Sequence, residues 1–386
     1  MKNIDVCLRL SSHPVFNYLV KFPPAGVNYN VSQKTTLKSE APGLKKEIKK
    51  KIWTALTKFR PPYVNVDIGA NQLIHSCHGM LISNKEPWAV DVEHAPSFAN
   101  YQAASLLKDD YRNRIIKLLA SDSCKKIIPW TQAAKMSVEN TFKNEKINEK
   151  MVVVYPAVDI KNIKSEKDDG IIRFLVASRF FYEKGGKQAL EAFEDLDKKY
   201  DVELAVLSIV PEEIKKKYSK IKSINFVEKI FVTSDRPNAI FEDYYSRYDI
   251  LFNLTFADTF GLASIEAMSC GMPVLGTRLF SMPEIVEDGK TGFLVNSPIS
   301  CLNEDFSLKY HKDFNNLEKF FSEIKKPRPE FINDVASKAS LLIEDSKLRH
   351  SMSRNAKKSV ESGKFSIKTR NKKLRKIYEE VIDCGS

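Results

Sequence analysis

Residues 258–273 read Asp-Thr-Phe-Gly-Leu-Ala-Ser-Ile-Glu-Ala-Met-Ser-Cys-Gly-Met-Pro, and they give the clearest indication of the fold class of the chain. It places a Phe260-Gly261 turn after the apolar run Ile250–Leu254 and before a helical pattern that contains Glu266. A short apolar run of this kind is typical of a strand buried in a parallel sheet. A strand, a glycine turn and a helix in this order begin a βαβ unit.

The same alternation of apolar runs and helical patterns covers the whole chain. Strands are predicted at Val6–Leu10, Leu73–His75, Trp88–Val92, Lys126–Ile128, Val152–Tyr155, Ile172–Ala177, Glu203–Ser208, Ile224–Val227, Pro273–Thr277 and Gly292–Val295, besides the run before residue 258. Helices are predicted at Lys187–Glu194, Ile265–Ser269 and Met282–Glu287, with a last basic helix over Phe365–Ile382.

A polar stretch, Ile160–Gly170, has the composition of a linker between two α/β halves. We expect an N-terminal domain of residues 1–157, a C-terminal domain of residues 158–364 and a final helix, residues 365–386. The predicted fold class is α/β, with two doubly wound parallel-sheet domains of the Rossmann type facing a cleft. Ligands of such folds bind at the carboxyl ends of the strands, which predicts ligand binding in that cleft.

Composition and charge exclude several classes of protein. With 43% hydrophobic and 28% charged residues in 386, the chain is neither disordered nor a bare coiled coil. The formal charge is +12, and residues 1–157 carry 23 basic against 13 acidic side chains, which predicts an anionic partner for that half. Six scattered cysteines indicate a reducing compartment. No apolar stretch is long enough to span a membrane and no signal peptide is evident, so we expect a cytoplasmic protein.

Glycine is scarce, with 14 in the chain, and seven of them lie in two short segments. Glycine permits a positive φ and a close approach of the backbone. Turns of this kind at the start of helices point backbone N–H groups at an anion. The alternative is that these glycines form ordinary βα turns.

The first segment, residues 177–186, reads Ala-Ser-Arg-Phe-Phe-Tyr-Glu-Lys-Gly-Gly. Arg179 and Lys184 follow a predicted strand and precede a glycine turn. Two cations there suit a diphosphate, since arginine offers a planar fork and lysine a point charge. The alternative for this pair is a surface ion pair with Glu183.

In the second segment, residues 258–273, the carboxylates of Asp258 and Glu266 lie eight residues apart and flank the Phe260-Gly261 turn. Glu266 is placed one turn into the helix, where a carboxylate can accept two hydroxyl groups of a ribose. The backbone amides of Phe260, Gly261 and Leu262 are predicted to bind phosphate or sugar oxygens. For Asp258 the alternative is that it only caps the helix.

Taken together, these motifs resemble a known family. Ser-Arg-x4-Lys-Gly, Asp-x7-Glu, Gly-x-Pro-Val and the stretch from Glu284 to Val295, Glu-Ile-Val-x-Asp-Gly-x-Thr-Gly-Phe-Leu-Val, occur here in the order and spacing of family 4 of the retaining GT-B glycosyltransferases. The similarity is strongest between Phe174 and Val295. The last helix resembles the family's C-terminal helix, which crosses back to the N-terminal domain.

The resemblance implies roles for these residues. Arg179 and Lys184 would hold the donor diphosphate and stabilise the leaving nucleotide, and Glu266 would bind the donor ribose. Asp258 would contact hydroxyls of the transferred sugar, although the family usually has Glu at this position. His94, after the predicted strand Trp88–Val92, resembles the family's active-site histidine, which contacts the donor sugar. The alternative for His94 is a packed or surface histidine.

Two further features of the N-terminal half are less distinctive. His75-x-x-His78 resembles a common family pattern, although packed histidines explain it as well. The family's glycine-rich loop after the first strand is missing, and Gly26 is the candidate for an equivalent position.

No metal is expected at the site. Asp195-Leu-Asp197 spells a metal-binding pattern of another glycosyltransferase fold, but here it closes a charged helix and is read as solvated surface. Arg179 and Lys184 provide the positive charge for the diphosphate, and no cysteine and histidine spacing suggests zinc. No cofactor is therefore expected beyond a UDP- or GDP-linked sugar as co-substrate.

The resemblance also implies a mechanism. The sugar would be transferred with retention of anomeric configuration through a transition state that resembles an oxocarbenium ion. A phosphate oxygen would take the acceptor proton, so that no protein nucleophile is needed. Fixed cations and amides would stabilise the charge of the leaving phosphate, and closure of the two domains would exclude water.

The stretch Leu44–Arg60 forms a basic amphipathic pattern between Pro42-Gly43 and Pro61-Pro62. Its apolar positions recur at helical spacing, its other face carries six lysines, and Trp53 lies at the border. Such a helix can lie on an anionic membrane, which would suit a peripheral enzyme with a glycan or lipid-linked acceptor. The alternative is an ordinary domain helix with a solvated lysine face. No nucleic-acid-binding motif is visible.

Three functions remain open from the sequence. The first is a nucleotide-sugar glycosyltransferase. The second is a sugar-nucleotide epimerase of the same fold, which would need no acceptor. The third is a non-catalytic subunit that binds a glycan or nucleotide, to which the Asp258 departure gives some weight.

Overall fold

The computed structural model describes residues 3–32, 57–160, 169–227, 244–300 and 317–383. These residues form two compact units. The first unit contains the described residues of Met1–Ala157 and Ile367–Ser386, and the second contains those of Val158–Ser300 and Leu317–Ser366. Each unit has its own apolar core.

The first unit is built on a five-stranded sheet in which all neighbours are parallel. Its strands are β1 (Ile4–Arg9), β2 (Val27–Val31), β4 (Leu73–Ser76), β6 (Trp88–Val92) and β7 (Cys124–Pro129), and a separate two-stranded sheet pairs β3 (Tyr63–Val64) with β5 (Leu81–Ile82). The sheet order is β2-β1-β4-β6-β7. The winding reverses between β1 and β4, and ligands of doubly wound folds bind at such a switch point.

Helices cover this sheet. They are α1 (Val15–Lys21), α2 (Asp109–Leu119), α3 (Gln132–Phe142) and α4 (Glu145–Glu149), with 3-10 turns at Ala95–Ala99 and Ala103–Leu107. The start of α3 is fixed by Thr131, whose hydroxyl accepts a hydrogen bond from the amide of Ala134 at 3.0 Å. Trp88, Phe98 and Tyr111 are fully buried between sheet and helices.

The second unit has a six-stranded parallel sheet. Its strands are β8 (Ile172–Phe180), β9 (Val202–Ile209), β10 (Ile224–Val227), β11 (Ile250–Asn253), β12 (Val274–Arg278) and β13 (Gly292–Asn296). Their order, β10-β9-β8-β11-β12-β13, is that of a Rossmann fold, with the switch point between β8 and β11. Phe174 and Phe252 stack across these two strands with ring centres 4.7 Å apart.

The helices of the second unit follow its strands. They are α5 (Gly186–Asp197), α6 (Glu212–Tyr218), α7 (Leu262–Ser269), α8 (Met282–Ile285), α9 (Leu317–Lys325), α10 (Pro329–Glu344) and α11 (Ser346–Glu361). Among them, α5 and α7 begin at the switch-point edge of the sheet, directly after the loops that follow β8 and β11.

The last described helix, α12 (Ile367–Asp383), packs into the first unit. Its buried face includes Arg370, whose Nη2 donates a hydrogen bond to the carbonyl of Phe22 at 2.6 Å. The hydroxyl of Tyr378 lies 2.8 Å from that of Tyr29 and 2.7 Å from Nδ1 of His75. The helix is therefore held by a buried polar network as well as by apolar contacts.

Replacing Tyr378 with phenylalanine should lower the free energy of unfolding by about 1–3 kcal/mol, because the buried polar atoms of His75 and Tyr29 each lose a partner. The urea unfolding midpoint measures this effect. Tyr200→Phe is the matched control, since the Tyr200 hydroxyl bonds Glu344 at the surface and its loss should change stability by less than about 0.5 kcal/mol. Equal effects of the two changes would contradict the role given to Tyr378.

The predicted α/β fold class of two Rossmann-like domains is confirmed, but the sheet prediction placed a strand at Val152–Tyr155 and missed β2, β3 and β5. Val152–Tyr155 does not form a regular strand, although it runs beside β7. The amides of Val152 and Val154 donate to the carbonyls of Ile127 at 2.9 Å and Pro129 at 3.1 Å, and Met151 forms an isolated bridge with Ile127. Strand β2 was not predicted, because Val-Asn-Tyr-Asn-Val is a polar edge strand without a continuous apolar run.

Two other predicted segments fall largely or partly outside the described residues. Most of the amphipathic stretch Leu44–Arg60 precedes residue 57, and residues 161–168 of the linker Ile160–Gly170 are likewise not described. Within the described ranges, no helix has both the length and the apolar character needed to cross a bilayer.

Candidate active site

Two loops of the second unit are bonded to each other at the switch point. The loop after β8 contributes the carbonyl of Glu183, which accepts hydrogen bonds from the amides of Phe256 at 2.8 Å and Ala257 at 3.3 Å. The Thr255 hydroxyl also donates to this carbonyl at 3.3 Å. The loop after β11 is thereby fixed against the loop after β8.

Gly185 makes this close approach possible. Its φ is +71°, and a Cβ atom added to it would lie 2.1 Å from the carbonyl oxygen of Leu254. Only glycine fits a left-handed conformation with no space for a side chain. This explains one of the clustered glycines of the sequence.

The consequence is that Lys184 and Asp258 meet. Lys184 Nζ lies 2.7 Å from Asp258 Oδ2, with 19% and 12% of the respective side chains exposed. The alternative considered from the sequence, an ion pair of Lys184 with the adjacent Glu183, is not the pair that forms. The cation therefore sits at the switch point between β8 and β11.

The other oxygen of Asp258 closes its own loop. Oδ1 accepts hydrogen bonds from the amides of Thr259 at 2.9 Å, Phe260 at 3.3 Å and Gly261 at 3.0 Å. Two of the three amides predicted to bind donor oxygens are thus bonded to Asp258. The third belongs to Leu262, the first residue of α7, where helix N–H groups lack partners within the helix.

The remaining predicted residues of this unit flank the ion pair in sequence. Arg179 is exposed near the end of β8, and Glu266 is half-buried in the second turn of α7. The Asp-x-Asp pattern ends α5, where Asp195 pairs with Lys198 at 3.0 Å and Asp197 accepts a hydrogen bond from Ser223. Both of its carboxylates are thus engaged in contacts at the far end of α5 from Gly185.

The first unit has its own cavity at its switch point. A cavity of about 560 Å³ opens beyond the carboxyl ends of β1 and β4, with His78 and Tyr101 in its wall. Both have a positive φ, near +63°, which is uncommon for residues other than glycine. Behind them lies Glu93, whose Oε1 is 3.2 Å from His78 Nε2 and accepts a hydrogen bond from the Tyr101 hydroxyl.

Asp91, at the end of β6, holds this wall from behind. Its Oδ1 accepts hydrogen bonds from the amide of His78 at 3.0 Å and the indole of Trp130 at 2.9 Å, and its Oδ2 lies 3.0 Å from His75 Nε2. The ring of His78 stacks on Trp130, with centres 5.5 Å apart. The left-handed turn at His78 is thereby fixed by a buried carboxylate.

His94, predicted to face the donor sugar, follows β6. Its Nδ1 lies 3.0 Å from the Ser97 hydroxyl and 3.9 Å from Glu93 Oε1, and 14% of the side chain is exposed. Of the sequence-predicted site residues, the structure places His94 in the first unit, together with the less distinctive candidates His75, His78 and Gly26, and the others in the second.

Comparison with known proteins gives this geometry a context. Residues 158–326, most of the second unit, match the family model described as glycosyl transferases group 1. The chain is 24% identical over 318 residues to an uncharacterized glycosyltransferase of Methanocaldococcus jannaschii, a match that covers 81% of this chain and 76% of that protein. The chain is a glycosyltransferase, and its second unit is similar to the group 1 family.

The glycosyltransferase also resembles solved structures over nearly its whole length. Sucrose-phosphate synthase of Thermosynechococcus elongatus superposes with a TM-score of 0.63 at 13% identity, covering 99% of this chain and 100% of that one. HepE of Anabaena, in complex with UDP, gives 0.59 at 15% identity, with 98% and 100% covered. These similarities establish the GT-B fold class. In sequence, the glycosyltransferase spans 43% of a probable sucrose-phosphate synthase of Thermosipho melanesiensis, at 30% identity.

A pH titration should identify His94 in the glycosyltransferase. Burial removes water from its imidazolium and outweighs the attraction of Glu93, so its pKa is lowered to about 4 from a usual value of 6.5. Between these two pH values the unfolded state binds more protons, so the contribution of His94 to the free energy of unfolding should rise with pH and be constant above pH 6.5.

NMR titration of the ring and urea unfolding across this pH range measure the two effects. In the His94→Gln variant, this part of the pH dependence should disappear. A His94 ring that titrates near 6.5 would contradict the expectation.

One group of the glycosyltransferase has the atoms for a metal ion. Possible ligand atoms of His75, Cys77 and Asp91 lie within 4.8 Å of one another, and all three residues are buried. Both ring nitrogens of His75 are already in hydrogen bonds with Asp91 and Tyr378. Burial, with Asp91 nearby, raises the pKa of the Cys77 thiol, which disfavours the thiolate that binds metals. We therefore interpret the group as a hydrogen-bonding network.

The assignment of Gly26 to a ligand-binding loop is wrong. Gly26 immediately precedes β2 and its carbonyl accepts the amide of Ile4, so it lies at the amino-terminal edge of the sheet, opposite the cavity. A Cβ there would meet Arg375 Nη1 at 2.6 Å, so this glycine makes room for α12. The wall of the cavity instead uses His78 and Tyr101, whose positive φ values no pattern in the sequence indicates.

Proposed function

We propose that this glycosyltransferase is a family 4 enzyme that transfers a sugar from a nucleotide-sugar donor to an acceptor hydroxyl, with retention of anomeric configuration. Residues 158–364 would be the donor-binding domain, and residues 1–157 with 365–386 the acceptor-side domain. The observation that carries the proposal is the Lys184–Asp258 pair at the switch point of a Rossmann sheet, the edge at which such folds bind nucleotides.

The donor contacts are proposed residue by residue. Arg179 and Lys184 hold the diphosphate, Glu266 holds the ribose, and the turn Phe260–Leu262 contacts phosphate or sugar oxygens. The Anabaena neighbour has been solved with UDP and with UDP-glucose, and this favours a UDP-linked over a GDP-linked donor here.

The chemistry follows from charge. As the glycosidic bond to phosphate breaks, negative charge grows on the leaving diphosphate, and preorganised cations stabilise it more in the transition state than in the ground state. Asp258 is an unsuitable nucleophile, because its two oxygens are engaged by Lys184 and by three backbone amides. This supports attack of the acceptor on the same face, with the acceptor proton passing to a phosphate oxygen.

The acceptor is a glycan or a lipid-linked saccharide in this proposal, with His94 as a contact for the transferred sugar. Action at the cytoplasmic surface of a membrane would depend on the basic stretch Leu44–Arg60. Sedimentation with neutral and anionic vesicles tests that part by itself, since equal binding to both would count against it.

A donor screen tests the proposed reaction. The full chain is incubated with UDP- and GDP-linked sugars, with and without acceptor extracts, and products are followed by mass and by the NMR coupling of the anomeric proton. We expect acceptor-dependent loss of a UDP-sugar and a product with the donor's anomeric configuration. Inversion would overturn retention, and turnover to an isomeric nucleotide sugar without acceptor would favour the epimerase alternative.

A further inference from the structure

Among the described residues that line the cavity of the first unit, the charged and titratable side chains include basic groups and no acidic ones. Its lining side chains, all within the described part of the chain, include a guanidinium, two imidazoles and several hydroxyls, and no carboxylate. The polar side chains in this lining include Arg9, Ser11, His13, Tyr63, His78 and Tyr101. A volume of about 560 Å³ lies within the range of small-molecule sites.

Arg9 supplies the fixed positive charge. It ends β1 and is partly buried, and its Nη1 contacts the sulfur of Met80. Among the described residues no carboxylate lies within ion-pair distance of Arg9. Burial lowers the pKa of its guanidinium, so part of its hydration is already lost. A cation in this state gains most from an anion that can accept two parallel hydrogen bonds.

Ser11 and His78 form the polar part of the same wall. His78 Nδ1 lies 3.1 Å from Ser11 Oγ, which also accepts a hydrogen bond from the amide of His13 at 3.3 Å. On the other side of the ring, Nε2 faces Glu93. When His78 is protonated, Nδ1 donates to Ser11 Oγ, and the serine hydrogen is then available to a ligand in the cavity.

The surroundings of His78 favour the protonated ring. Burial lowers its pKa, but the hydrogen bond and charge of Glu93, together with the charge of Asp91, outweigh burial and leave the pKa raised above 6.5. The titratable groups that surround the His78 ring, from all the segments packed against it, are Asp91, Glu93, His94, Tyr101 and His13.

We propose that the first unit binds its acceptor through an anionic oxygen group, a phosphate or a carboxylate, held by Arg9, His78 and Ser11. The inference rests on the proposed function only in that it identifies this ligand as the acceptor. The anion has two possible sources, a soluble phosphorylated or carboxylated polyol and the phosphate of a lipid-linked saccharide, and both present the same chemistry to these residues.

The test measures binding to the full chain by calorimetry. The soluble probes are inorganic phosphate, glycerol 3-phosphate, glucose 6-phosphate and L-malate, with glycerol and glucose as uncharged controls. The lipid probe is a phosphatidylcholine vesicle with or without a polyprenyl phosphate. We expect at least one anionic probe to bind while its uncharged counterpart does not, and the arm that binds identifies the source.

Arg9→Gln should weaken that binding about 10- to 100-fold, as expected for the loss of a hydrogen bond to a charged group. Arg9→Lys should restore part of it. Arg112→Gln, at a half-buried arginine paired with Asp109 in the same unit, is the matched control and should leave it unchanged. The dissociation constant of the wild-type chain should also rise as pH increases through the pKa of His78, because the imidazolium is lost.

Equal affinity of the Arg9→Gln and wild-type chains, or failure of every anionic probe to bind, would overturn the proposal. UDP binding to the second unit separates the outcomes. If UDP binds and no anionic probe does, the anion subsite is wrong and the proposed function stands. If an anion binds in an Arg9-dependent way and no nucleotide sugar is used, the subsite stands and the proposed function fails.

Discussion

Replacing Lys184 with methionine is expected to lower kcat/KM for sugar transfer by about 10²–10³-fold, the usual effect of removing one preorganised group that stabilises a developing negative charge. Methionine keeps much of the apolar stem, so the change removes the ammonium group with little loss of packing. The Nζ atom is held 2.7 Å from Asp258 and is largely shielded from water. The electrostatic interaction of a charge with a ligand is stronger in such a site than in solvent.

The loss should appear mainly in kcat. The charge on the leaving diphosphate grows as the bond to the sugar breaks, so the cation contributes more in the transition state than in the bound donor. Initial rates over a range of donor concentrations separate the two constants. Lys198→Met is the control, since Lys198 is exposed and pairs with Asp195 on the surface. An unchanged kcat in the Lys184 variant would contradict its role at the leaving group.

Replacing Gly185 with alanine is expected to destabilise the second unit by about 2–5 kcal/mol. A left-handed conformation costs a residue with a side chain about 1–2 kcal/mol, and forcing an added methyl group into a packed site costs about 1–3 kcal/mol more. The new Cβ would lie 2.1 Å from the carbonyl oxygen of Leu254, so the loops after β8 and β11 must separate. Lys184 and Asp258 would then move apart, and activity should fall with stability.

Gly289→Ala is a matched control for this prediction. Gly289 lies in the same unit with a φ of +76°, but an added Cβ would meet nothing within 4 Å. Its replacement should therefore cost only the left-handed penalty of about 1–2 kcal/mol. The urea midpoints of the two variants give the comparison, and equal destabilisation would show that the contact with Leu254 is not what requires glycine.

Much of the fold could be predicted from the sequence because parallel strands buried on both faces are continuous apolar runs. The strands from β8 to β13 were all predicted, within a few residues at their ends. β2 was missed, since an edge strand with alternating asparagines has no such run. Val152–Tyr155 was predicted as a strand from its apolar run. Val152 and Val154 do donate hydrogen bonds to β7, but the pairing does not continue as a regular ladder.

Side-chain contacts in the site were harder to predict. The sequence suggested Lys184 and Asp258 separately, but their pairing depends on two loops brought together by the backbone contact of Gly185. The alternative that Asp258 caps the helix does not hold, because α7 has no side-chain cap. Oδ1 of Asp258 instead accepts the loop amides of residues 259–261, while its Oδ2 pairs with Lys184. Arg370 belonged to a helix predicted only as basic, yet its guanidinium is buried against a backbone carbonyl.

The position of α12 has a consequence for biosynthesis. The residues that complete the first unit are translated after the whole of the second, so a ribosome must release nearly 380 residues before Tyr378 can reach His75. Since domains generally fold as units during synthesis, the second unit can mature while the first still exposes the groove for its missing helix. Although most of the first unit is translated early, it should therefore depend on chaperones until α12 has been synthesised.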